Sequence, residues 1–117
     1  GALGVVLNKP TPNSLISLLK EKIDIPVTIT VVSEKDDIKG RLQAGVDIFN
    51  VSGAGKTSDI IKKIRDLNAD LAIIATGGKT DETIMMAIEA GANAISYRPP
   101  STGELFKEIM DRYRLEE

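Results

Sequence analysis

The stretch Ala44-Gly45-Val46-Asp47-Ile48-Phe49-Asn50-Val51-Ser52-Gly53-Ala54-Gly55-Lys56-Thr57 decides how this chain folds. A glycine stop, an apolar run of strand length, a glycine-rich polar loop and a helix start follow one another in it. The pattern returns one unit later. Leu71-Ala72-Ile73-Ile74-Ala75 leads into Thr76-Gly77-Gly78-Lys79-Thr80 and a further helix. Each loop offers a hydroxyl, glycines, Lys-Thr and an acidic residue. Glycine lets backbone N–H groups approach an anion closely, and a helix start leaves N–H groups unpaired. Ser52, Gly53, Gly55, Thr76, Gly77, Gly78 and Lys79 are therefore candidate phosphate-binding residues, with Lys56 adding charge. Ordinary turn chemistry, with Thr57 and Thr80 as N-caps, explains either loop taken alone. The first loop is not a Walker A loop. That pattern needs a Gly at position 50, where Asn50 stands, and no later strand ends in an Asp suited to Mg²⁺.

Working outward, the same unit repeats five times. Strands are read at Leu3 to Leu7, Val27 to Val32, Val46 to Val51, Leu71 to Ala75 and Ala94 to Tyr97. Helices follow at about Ser14 to Lys22, from Ser33 to Ala44, up to Leu67, from Asp81 to Ala90, and from Ser101 to about Arg114. Leu15, Ile16, Leu18 and Leu19 are read as inward in the first helix, and Ile60, Ile61 and Ile64 in the third. Ser101 with Glu104 forms a capping box for the last. Strict βα alternation predicts an all-parallel sheet and a single domain over 1–117. Alternation confined to the second and fifth strands predicts that these are edges. That gives a flavodoxin-like three-layer sandwich of order 2-1-3-4-5 with helices on both faces. The second strand carries no charge or Pro to block pairing, so self-association, as a dimer, is expected.

Composition narrows the function. The 117 residues include 15 basic and 17 acidic ones, a net charge of −2, so nothing favours nucleic acid. Aromatic residues, at 3%, are too few for base-stacking platforms. The absence of Cys and His removes thiolate and imidazole chemistry, and no cofactor or metal site is read. No apolar run approaches the roughly 20 residues of a membrane span, and no signal peptide is visible, which points to the cytoplasm. The chain opens without Met, an expectation of processing or of excision from something longer.

Two families share parts of this pattern. The phrases from Ala44 to Gly53, from Ile73 to Gly78 and from Ala87 to Ile95 resemble βα units six to eight of phosphate-binding TIM barrels. The whole chain would then be units four to eight, the first three being absent. The resemblance implies that Gly77 and Gly78, with Arg98 and Ser101 after the last strand, bind substrate phosphate. The tail Glu89-Ala90-Gly91-Ala92-Asn93-Ala94-Ile95-Ser96-Tyr97-Arg98-Pro99 also resembles receiver domains of response regulators, with Thr76 at their hydroxyl position. Their acidic pair is replaced here by Leu7-Asn8-Lys9, their phosphoacceptor Asp by Ser52 and their Lys by Arg98. That resemblance implies a pseudo-receiver that cannot be phosphorylated.

Single residues add little chemistry. Lys9 is read as a solvated loop lysine rather than a Schiff-base amine. Asn50, polar in an apolar strand, faces a site or satisfies a neighbouring loop. Asp47 is read as a strand-start residue, and Arg98 as an anion clamp or a partner of Glu104. No acid–base pair converges, so catalytic residues stay unassigned and enzyme status open. Three readings remain. One is a piece of a TIM-barrel-type enzyme that binds a phosphorylated small molecule or inorganic anion. The others are a pseudo-receiver acting through protein contacts and a half-barrel module of structural interest.

Overall fold

A computed structural model describes residues 1–76, 80–96 and 102–116. Five strands alternate with five helices: β1 (Val5–Leu7), α1 (Asn13–Lys22), β2 (Val27–Val31), α2 (Ile38–Ala44), β3 (Ile48–Val51), α3 (Thr57–Leu67), β4 (Ala72–Thr76), α4 (Asp81–Ala90), β5 (Ala94–Ser96) and α5 (Thr102–Glu116). A 3₁₀ turn, Ala54–Lys56, leads into α3. All strand pairs are parallel, as the βα alternation requires. No described helix is long and apolar enough to cross a membrane.

The strand order is β1-β2-β3-β4-β5, not 2-1-3-4-5. Every crossover steps to the next strand in the same direction. Right-handed connections then put successive helices on one side of the sheet, so the three-layer sandwich does not form. Burial agrees. Val27, Ile29, Val31, Phe49, Val51, Ile73 and Ala75 share one face and are at most 1% exposed. They join Ile16, Ile38, Ile60, Ile61, Ile64 and Ala87 of the helices in one core. The alternation in β2 reflects these two faces rather than an edge. Thr28 and Thr30 point away from the helices. The edges are β1 and β5, so β2, paired on both sides, cannot be the strand that recruits a second copy.

Helix boundaries follow local chemistry. Gly45 and Gly91 take φ of 102° and 119° and stop α2 and α4, a conformation that a side chain would strain. Ser33 does not open α2. Residues 33–37 form a turn instead, and Asp37 caps the helix by accepting from the Gly40 N–H at 3.0 Å. In α3, Ile60, Ile61 and Ile64 are fully buried as their spacing predicts. In α1 only Ile16 is buried, while Leu15 and Leu18 stay exposed. Along α5, Leu105, Phe106, Ile109 and Tyr113 form an exposed apolar stripe. Ser101, the expected cap of α5, lies outside the described residues.

Two matching clamps tie the N-terminal ends of the strands. The Asp47 carboxylate accepts from the Val27 N–H at 2.8 Å and from Lys20 Nζ at 2.7 Å. Asn93 Oδ1 accepts from the Ile73 N–H at 2.9 Å and from Arg65 Nη2 at 2.7 Å. The Lys20 and Arg65 stems pass over Gly45 and Gly91, about 3 Å from where a Cβ would stand. Asp47 is thus more than a strand-start residue. Partial burial opposes its charge, and the Lys20 ammonium and Val27 amide outweigh that, holding its pKa below the ordinary carboxylate value.

Candidate functional site

The loops after β3 and β4 meet at one open pocket of about 410 Å³. Ser52, Gly55 and Thr76 line it, as do Ser58 and Thr83 in the first turns of α3 and α4, with Met86 and Ala87 beside them. The parallel register explains the convergence. Val51 pairs with Ala75, so the next residues, Ser52 and Thr76, leave neighbouring strands side by side. The pocket therefore lies at the C-terminal ends of parallel strands, where α/β folds place ligands.

The first loop divides its groups between holding itself together and facing the pocket. Thr57 does not cap α3. Its hydroxyl accepts from the Gly53 N–H and donates to the Ala54 carbonyl, both at 3.0 Å. That bond occupies the Gly53 amide. A Cβ on Gly53 would lie 2.4 Å from Ile60 Cδ1, so this glycine serves the close approach of α3. Gly55 is different: nothing lies within 4 Å of where its Cβ would be, and it borders the pocket. Lys56 is exposed beside it.

In the second loop, Thr76 is exposed at the end of β4, and Gly77, Gly78 and Lys79 lie outside the described residues, as does Arg98. Thr80 caps α4 as expected, accepting from the Thr83 N–H at 3.3 Å. Ser58 and Thr83 were not read from the sequence as site residues. The available signal was a hydroxyl in the first turn of each helix after a glycine loop. Acidic groups also stand there: Asp59 in α3, and Asp81 and Glu82 in α4. They complement the helix dipoles and lower the attraction left for an outside anion.

Lys9 sits on the neighbouring part of the rim and pairs with Asp36 at 3.4 Å. Partial burial of Asp36 disfavours its charge, and bonds from the Val32 and Ser33 amides and Lys9 more than offset this, so its pKa is lowered. Lys9 is half exposed, which fits a solvated ion pair and not a desolvated amine. The Arg41 guanidinium anchors the loop after β1 through the carbonyls of Lys9 and Thr11 and through Asn13 Oδ1. Asn50 points from β3 onto the face that no helix covers, between Thr30 and Ile74. Among the described residues no group of three or more His, Cys, Asp or Glu is placed to hold a metal ion.

A parallel sheet in sequential order, helices on one side and a loop pocket at the C-terminal ends of the strands define part of a (βα)-barrel architecture. The solved structures include one that this chain resembles, described as "Native KDPGal structure". It superposes with a TM-score of 0.64 at 22% identity, over 85% of this chain and 47% of that one. The chain thus spans about half the length of the structure it matches. The likeness is one of fold, to a TIM barrel, and it fits the barrel-fragment alternative. The order 2-1-3-4-5, which receiver domains share, is not the order observed. No family model matches the chain, and no curated protein matches it.

Proposed function

We propose that this chain is the phosphate-ligand-binding, C-terminal portion, βα units four to eight, of a TIM-barrel-type enzyme. The observation that supports this most is the single pocket that joins Ser52, Gly55 and Thr76 from loops that are separate in sequence. Ser58 adds a hydroxyl donor from the start of α3, whereas the Thr83 hydroxyl at the start of α4 donates to the Thr80 carbonyl at 2.8 Å. In this reading the backbone N–H groups near Gly55, Gly77 and Gly78 grip a phosphate group or inorganic anion, and Lys56, Lys79 and Arg98 add charge. Gly53 supports the grip by letting α3 approach rather than by donating. Each exposed helix start favours an anion by about 0.3–1 kcal/mol. The first-turn acids reduce that, so inorganic phosphate alone binds weakly. Catalysis is not assigned to this half.

Titration with inorganic phosphate, followed by amide NMR shifts, tests the reading. The amides of residues 52–58 and 76–83 move together and saturate, and sulfate competes. If neither loop responds, the glycines and threonines are turn and cap residues only, and the proposal fails.

A further inference from the structure

The face of the sheet that lacks helices grades from apolar to polar along the strand direction. Its lowest row is Val6, Thr28, Ile48 and Ala72. The next row is Thr30, Asn50, Ile74 and Ala94. The top row pairs Thr76 with Ser96, and Ser52 follows β3 beside Thr76. The helix-facing positions of the same strands are all apolar. The five strands carry no Lys, Arg, Asp or Glu. Polar side chains therefore collect at one end of one face, directly below the phosphate loops, and all of them are neutral. Neighbouring strands lie about 4.8 Å apart, so Thr30 and Asn50 stand within reach of one small molecule. An amide in mid-strand is costly unless it finds partners, and Asn50 is half-buried on that face.

We propose that Asn50, with Thr30 beside it and Ser96 above, receives the uncharged, hydroxyl- or carbonyl-bearing body of the phospho-ligand, whose phosphate lies at Ser52 and Thr76. Asn50 is then a specificity residue. This rests on the phosphate-loop reading and adds the class of ligand. Amide and hydroxyl groups both donate and accept, which matches a hydroxylated chain. Among the described residues no strand position on this face carries a cation to balance a second anionic group, and an unpaired carboxylate there is strongly disfavoured.

Calorimetry on this chain with four probes tests it: inorganic phosphate, propyl phosphate, glycerol 3-phosphate and 3-phosphoglycerate. Glycerol 3-phosphate binds about tenfold tighter than propyl phosphate, the size of one or two net hydrogen bonds. The carboxylate of 3-phosphoglycerate removes that gain. Asn50→Leu brings the glycerol-to-propyl ratio within about twofold and leaves inorganic phosphate unchanged. Thr30→Val, of nearly equal shape, does the same to a smaller extent, and thermal midpoints confirm that both variants are folded. If the wild type binds phosphate yet treats the two esters alike, or if Asn50→Leu keeps the ratio, this inference falls and the phosphate reading stands. Tighter binding of 3-phosphoglycerate than of glycerol 3-phosphate overturns the neutral-body claim. If no probe binds, the phosphate reading fails and this one with it.

Discussion

The two rims of the sheet are built on opposite principles. At the N-terminal rim, side chains reach back into the strands. Asp47 binds the first amide of β2 and Asn93 the second amide of β4, and Lys20 and Arg65 lie over them. At the C-terminal rim, hydroxyls and glycines border an open pocket after β3 and β4, where Thr57 and Thr80 tie the ends of their loops, while Arg41 and Asp36 hold the loops after β1 and β2. Polar groups at the first rim are consumed by the fold. At the second, Ser52 and Thr76 are left bordering the pocket. With the proposed function, stability would belong to the first rim and ligand chemistry to the second, the division expected of barrel-type sheets.

The largest effect that would sharpen this contrast comes from Arg65→Ala. The guanidinium donates to the carbonyls of Gly91, Ala69 and Leu71 and to Asn93 Oδ1. Its removal strands several half-buried acceptors and is expected to cost about 2–3 kcal/mol in urea unfolding. Phosphate-induced shifts in the folded fraction stay as in the wild type. A variant that kept its stability but lost phosphate binding would reverse the roles of the rims.

Gly53→Ala comes next and tests the one point where the upper rim is structural. The new methyl would meet Ile60 Cδ1 at 2.4 Å, the far end of a flexible side chain in a filled core. We expect a loss of about 1–2 kcal/mol from the displaced isoleucine. A neutral or stabilising outcome would show that α3 yields freely, and Gly53 would return to the list of groups facing the ligand.

Asp47→Asn makes the first clamp a copy of the second. The amide can still accept from the Val27 N–H, but the charge opposite Lys20 is gone. The pair is partly exposed, so the expected cost at neutral pH is under about 1 kcal/mol. The sign with pH follows from the lowered folded pKa. The wild-type contribution is complete above the unfolded carboxylate value, about 3.9, and is lost as pH falls through the lower folded value. Asp36 shifts in the same direction, so the variant loses part of the acid sensitivity and not all of it. Urea midpoints measured from pH 7 down to pH 3 decide this. An unchanged acid slope would mean that Asp47 does not report the clamp.

The parallel sheet and both glycine stops were legible because they depend on local rules: hydrophobic period, turn residues and the left-handed conformation. Strand order was not. Thr28 and Thr30 were read as marks of an edge, yet the same alternation arises in an interior strand when only one face is covered. One sequence cannot separate the two cases, because the covering helix lies far along the chain. The convergence of the candidate site's residues was legible to the extent that strand register carries it. Ser52, Gly55 and Thr76 share a pocket because their strands end together. The use of the Gly53 amide by Thr57 depends on how tightly the loop folds, and the residue types do not reveal it. The repeated Ala-Gly phrase before Asp47 and Asn93 was visible, but its clamp was not, since Lys20 and Arg65 are contributed by helices more than twenty positions upstream.

The smallest expected change in stability belongs to Thr76→Val, and this variant separates the rims most cleanly. Thr76 is exposed at the end of β4 and keeps its backbone pairing with Ser96 whatever its side chain. Valine preserves the shape and the strand propensity, so unfolding should move by no more than about 0.5 kcal/mol. The hydroxyl, however, is one of the few pocket donors that no cap or turn requires. Its loss should weaken phosphate by roughly three- to tenfold, the range of one ordinary net hydrogen bond at an exposed site. Thr80→Val is the control. It removes a helix cap, with an expected cost of about 1 kcal/mol, and leaves the pocket lining in place. If Thr76→Val matches wild type in phosphate affinity while Thr80→Val weakens it, the anion responds to the stability of α4. Binding would then follow the order of the fold, and the division between a structural rim and a chemical one would not hold.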